Sequence, residues 1–172
     1  SKWLYRDDEL AIPPNVEVHR AKYHGPKGRL PAEELHGLDG LDRTLRQAAL
    51  FSRRLLVPDE FVSWGLTAIP AARRIVRDEK IDVLVTTSPP ASLNLIGAAV
   101  KQVTGVYWVA DLRDSVAANP DRRVDRLAVR MKEQAQETLA KLVARWADAV
   151  VTVSDAISAE MRALGAERVE TI

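Results

Sequence analysis

The chain has 172 residues, 47% of them hydrophobic, and its 25 basic and 24 acidic side chains leave a net charge of +1. That length suits one α/β domain burying roughly two-thirds of its surface, and the near-neutral balance excludes a global field for nucleic acid or an acidic partner. Cysteine is absent, which excludes disulfides, thiolate metal sites and thiol nucleophiles; no apolar run approaches the roughly 20 residues of a membrane span, and SKWLYRDDEL is not a signal peptide. The expected setting is cytoplasmic.

In chain order, short apolar runs rich in β-branched residues alternate with longer runs of helical period, the pattern of a parallel sheet covered by helices. The strand candidates are NVEVHR from Asn15, IDVLVTT from Ile81, VYWVAD from Val106, DAVVTVS from Asp148 and RVETI from Arg168. The middle three are apolar almost throughout, as expected of central strands covered on both faces. Helices are expected from about Leu41 to Leu56, Ser63 to Glu79 and Ala91 to Thr104. A long amphipathic helix follows, with apolar positions Val124, Leu127, Met131, Ala135, Leu139, Leu142 and Trp146. The last helix begins at Ser154 as N-cap and stops at Gly165. IPPN, HGPKGRLP, VPDE, SPPAS and ANPD read as loops. The whole chain, residues 1–172, reads as one domain.

In an open parallel sheet, ligands bind beyond the carboxyl ends of the strands, and two of those ends are chemically unusual. Thr86, Thr87 and Ser88 close one strand, and Pro89 and Pro90 stiffen the turn into a helix whose N-terminus can meet an anion or a sugar hydroxyl. The plainer reading is a well-capped βα turn, with Ser88 or Ser92 as the cap. At the second end Asp111 and Asp114 flank Arg113: a carboxylate accepts a hydroxyl or its proton, and a guanidinium grips a phosphate or a carboxylate. The plainer reading is an Asp–Arg ion pair that ties the loop down.

Other signals are weaker. Neither G-x-G-x-x-G nor G-x-x-x-x-G-K-[ST] occurs. The basic G-x-x-G at Gly25 and Gly28 lacks the flanking helices of an RNA-binding module and reads as a surface turn. His19, His24 and His36 have no metal-binding spacing, so no metal site is expected. Ser154 with Asp155 lacks a nucleophile elbow and reads as a helix cap. Arg122, Arg126 and Arg130 form one basic stripe, and Arg43, Arg46, Arg53 and Arg54 another. Such helices suit anionic lipid or a pyrophosphate group, or are simply solvated faces.

The segments VPDEFVSW, RIVRDEKIDVLVTTSPPASLNLIGAAVKQVTG, YWVADLRD and ADAVVTVSDAISAEMRALGAERVETI, in that order, resemble the N-terminal domain of GT-B glycosyltransferases of the family 4-like group. The resemblance runs from Val57 onward. It implies an α/β fold, a Rossmann-like parallel sheet with helices on both faces, forming an incomplete N-terminal half of a GT-B enzyme. That half binds the acceptor, while a C-terminal half, absent from this chain, binds the nucleotide-sugar; no other cofactor is implied. It also implies that the strands usually opening the domain precede this chain, which would leave Ile81 to Thr87 at a sheet edge or paired with a second chain as a dimer. The resemblance places Thr87, Ser88, Pro89, Pro90, Arg113 and Asn119 at the acceptor and Asp111 and Asp114 at the chemistry. Where the family continues with Pro-Trp, this chain has Ser115 and Val116, so its acceptor pocket differs. The implied partner is a sugar or lipid-linked acceptor, with contact at the inner membrane face and no nucleic acid. A GT-B sugar-nucleotide epimerase, and a non-enzymatic α/β binding module, are the alternatives.

Overall fold

A computed structural model describes residues 12–23, 40–41, 44–45, 56–59, 61–115 and 127–172. The fold alternates as the sequence pattern requires. A 3-10 turn, Val62–Trp64, leads into α1, Gly65–Asp78; then come β1, Val83–Ser88, α2, Ser92–Thr104, β2, Tyr107–Leu112, α3, Leu127–Trp146, β3, Ala149–Thr152, α4, Asp155–Ala163, and β4, Val169–Thr171. All three strand pairings are parallel, and the sheet order is β1-β2-β3-β4. The chain is therefore α/β with a Rossmann-like parallel sheet.

Because the strands follow one another in sequence order, right-handed crossovers carry α2, α3 and α4 over the same face. The main core forms there: Trp108, Ala110 and Leu112 of β2 pack with Val143 of α3 and Met161 of α4. A smaller cluster joins α1 to α2 through Ala68, Ile96 and Val100, with Val106 just ahead of β2.

One position permits this packing. A Cβ built on Gly97 of α2 would lie 2.5 Å from Trp108 Nε1, 2.7 Å from its Cε2 and 2.8 Å from Thr86 Cγ2. The missing side chain lets α2 approach the sheet closely enough for the indole to lie beneath it.

β1 lies at one edge of the described sheet, as the resemblance led us to expect. Its burial alternates, with Val83 and Val85 47% and 57% exposed while Thr86 and Ser88 are buried. That corrects the expectation that its apolar run marks burial on both faces. Among the described residues one face of β1 meets α2 and the other remains open.

The strand expected at Asn15–Arg20 is also corrected. These residues are exposed and join no ladder among the described residues. The Val16 N–H instead donates to Pro13 O at 3.0 Å, closing a turn out of the Pro-Pro pair. β propensity at Val16 and Val18 has no neighbouring strand to act through. Beyond them, Ala21 O accepts from Trp64 Nε1 at 3.2 Å and Lys22 O accepts from Thr67 Oγ1, so this segment is fastened to the start of α1.

Helix ends follow the sequence closely. Ser154 Oγ accepts from Ile157 N at 3.4 Å as the N-cap of α4. At the other end Gly165, with φ of 99°, donates to Arg162 O, and Ala166 N donates to Met161 O, both at 3.0 Å. That is a Schellman termination. The helix expected from about Leu41 to Leu56 lies mostly outside the described residues.

Candidate functional site

The carboxyl ends of β1 and β2 lie side by side. Thr87 is in register with Asp111 and Ser88 with Leu112, and Arg113 N extends the ladder by donating to Ser88 O at 3.1 Å. The two stretches singled out from the sequence thus share one rim, with Thr87 and Pro89 exposed, Pro90 half-buried and Ser88 buried. Asn119 lies outside the described residues, as do Arg122, Arg126 and the basic side chains Arg43, Arg46, Arg53 and Arg54.

Asp111 is 8% exposed, yet among the described residues only one of its oxygens is engaged. Arg113 Nε donates to Oδ2 at 3.2 Å, while the buried Oδ1 has no hydrogen-bond partner among the described residues. The ion pair named as the plainer reading therefore exists, but it satisfies half of the carboxylate. A buried oxygen left unpaired is costly unless a donor reaches it. The guanidinium is largely exposed, and Asp114 is exposed beside it.

Beneath the rim, a polar chain penetrates the core. Thr86 Oγ1 accepts from Trp108 Nε1 at 2.8 Å and donates to Asn94 Oδ1 at 3.2 Å. Asn94 is fully buried and its Nδ2 has no partner among the described residues. This network fixes the last turn of β1 against α2 and holds the rim in place.

Ser115, where the family pattern has proline, donates its hydroxyl to Glu160 Oε2 at 2.9 Å. Proline has no side-chain donor, so this tie from the rim loop to α4 is particular to the departure noted in the sequence. Sequence reasoning missed one rim residue outright. Asp59 accepts from Phe61 N through Oδ1 at 2.9 Å and from Ser92 N through Oδ2 at 2.7 Å. The only local signal was an aspartate preceding an apolar helical run, within VPDEFVSW.

A family model for the glycosyl transferase 4-like domain matches residues 13–172. The chain belongs to the glycosyl transferase 4-like family. No curated protein and no solved structure shows significant similarity to it. Family membership assigns a glycosyltransferase-type function in general terms.

Elsewhere, a shallow concavity of about 360 Å³ is lined by Lys101, Gln102, Arg145 and Trp146. It lies at the opposite end of this glycosyl transferase 4-like domain, beside the C-termini of α2 and α3. Lys101 is already engaged there, donating to Trp146 O at 2.8 Å and pairing with Asp148 Oδ2 at 2.7 Å. Its charge serves a helix end, which favours a cation. None of the described helices is long and apolar enough to cross a membrane.

Proposed function

We propose that this chain is the acceptor-side domain of an enzyme that transfers a sugar from a nucleotide-sugar to an acceptor hydroxyl, and that it is inactive without a donor-binding half. The observation that supports this reading is Asp111 Oδ1, buried at the end of β2 and without a partner among the described residues. Arg113 holds the other oxygen and keeps the carboxylate oriented, so an acceptor O–H reaching Oδ1 would satisfy it. As the glycosidic bond forms, the hydroxyl proton passes to a carboxylate, the bond from the anomeric carbon to the nucleotide diphosphate breaks, and the diphosphate leaves with the electron pair. Asp111 or the exposed Asp114 accepts the proton. Thr87, Ser88, Pro89 and Pro90 form the neutral side of the acceptor site, and Asn119 is assigned to acceptor binding from the sequence alone; Arg113 serves as carboxylate anchor or as a contact for acceptor phosphate. The nucleotide-sugar is a co-substrate rather than a resident cofactor, and a sugar or lipid-linked acceptor at the inner membrane face suits the basic stripes.

Single-turnover assays of the full-length enzyme with Asp111→Asn and Asp114→Asn test the roles. The general base should lose about 100-fold in turnover while its melting temperature stays within a few degrees. Unchanged turnover in both variants would leave Asp111 as a structural tie and remove the proton-transfer role from this rim.

A further inference from the structure

At the first turn of α2 the Ser92, Leu93 and Asn94 N–H groups are already engaged. An exposed helix N-terminus ordinarily presents free N–H groups and a partial positive charge, which makes it a site for phosphate. Here Ser92 N is taken by Asp59 Oδ2 at 2.7 Å, Leu93 N donates to Pro90 O at 3.2 Å, and Asn94 N donates to Ala91 O at 3.1 Å. The second Asp59 oxygen binds Phe61 N at 2.9 Å, so the carboxylate bridges the start of the 3-10 turn and the start of α2. Ser92 is only 1% exposed and its Oγ has no partner among the described residues, a hydroxyl held beside this carboxylate-capped turn.

We propose that Asp59 is a built-in counter-anion. It fills the position a ligand phosphate would take at the α2 N-terminus and so makes the Ser88–Pro90 turn selective for neutral, hydroxyl-bearing groups. The positive end of the helix stabilises the carboxylate, and the carboxylate repels a second anion from the same few ångströms. Any acceptor phosphate is thereby directed away from this turn, toward the exposed guanidinium of Arg113 on the neighbouring strand end. The assignment stands on the Asp59 contacts themselves and does not depend on which aspartate moves a proton.

Inorganic phosphate titrated against the wild-type chain, Asp59→Ala and Asp59→Asn at constant ionic strength tests it, with the Ser92 amide resonance and the melting temperature as readouts. Both variants should bind phosphate about tenfold more tightly than wild type, a difference of about 1.4 kcal/mol, shift the Ser92 amide, and regain melting temperature as phosphate is added. Should Asp59→Ala fail to fold without phosphate, refolding on its addition is the same result, and Asp59→Asn supplies the affinity. Equal phosphate binding by wild type at Ser92, or no binding by either variant, overturns the proposal. A rim that gains phosphate while Asp111→Asn keeps full turnover would retain this inference and discard the proton-transfer role.

Discussion

Two aspartates at opposite ends of β2 show how differently one fold treats the same side chain. Asp148 precedes β3 at the amino end, where its Oδ2 accepts from Trp108 N at 2.8 Å and from Lys101 Nζ at 2.7 Å. Asp111 sits at the carboxyl end with one contact to Arg113 and one buried oxygen without a partner among the described residues. Burial alone would raise the Asp148 carboxyl. The hydrogen bond from Lys101, the Trp108 N–H and the charges of Lys101 and Arg168 outweigh it and hold the group below its ordinary value of 3.8. The amino end of the sheet is thus closed by its own hydrogen bonds, and the carboxyl end is left for something else to complete. Stability should be concentrated at the first end and chemistry at the second.

Substitutions can break that division. The largest loss is expected at Trp108→Ala, about 3–5 kcal/mol by chemical denaturation, since it empties a fully buried indole site and removes the donor to Thr86. Gly97→Ala should follow at about 1–3 kcal/mol, because the new methyl meets atoms of Trp108 and Thr86 below 3.0 Å. Asp148→Ala should cost about 1–2 kcal/mol, chiefly from the charged acceptor lost to Trp108 N; the partly exposed Lys101 pair adds little.

That last loss carries a pH signature. A carboxyl held low in the folded state contributes stability above its unfolded value and forfeits it as pH falls through the folded value. The gap between wild type and Asp148→Ala should therefore be constant at neutral pH and narrow only below about 3.8. A gap that widens on acidification would contradict the assignment. The smallest effect on folding is expected at Asp111→Asn, within about 1 kcal/mol, since it weakens only the pair with the largely exposed Arg113 guanidinium. If that variant proved as unstable as Asp148→Ala, the two ends of β2 would be equivalent and the division would fail.

Local features were legible in the sequence, and features joined across the chain were not. The Ser154 cap, the Gly165 stop, four of the strands and the helices from Ser63, Ala91 and Ser154 follow from propensity and period within a few residues. So does the rim, because strand ends are where an open parallel sheet exposes polar groups. NVEVHR failed for the converse reason: its alternation is local, but a strand exists only when another pairs with it. The apolar runs at Ile81 and Val106 revealed strands but not that Val83 and Val85 would face outward, since cover on the second face comes from elsewhere in the sequence. Asp59 reaching Ser92, Lys101 reaching Asp148 and Gly97 making room for Trp108 are contacts between separate elements. No window of neighbouring residues encodes them.

The close approach of α2 to the sheet has a consequence for how this domain can drift over generations. With Trp108 and Thr86 in place a Cβ at residue 97 meets both, so a larger side chain there requires a smaller ring at 108 and a shift of the Thr86 methyl. Exchange of residue 97 first passes through a clash. Positions 97 and 108 are coupled in space, and a double exchange, Trp108→Phe with Gly97→Ala, should cost less than the sum of its parts.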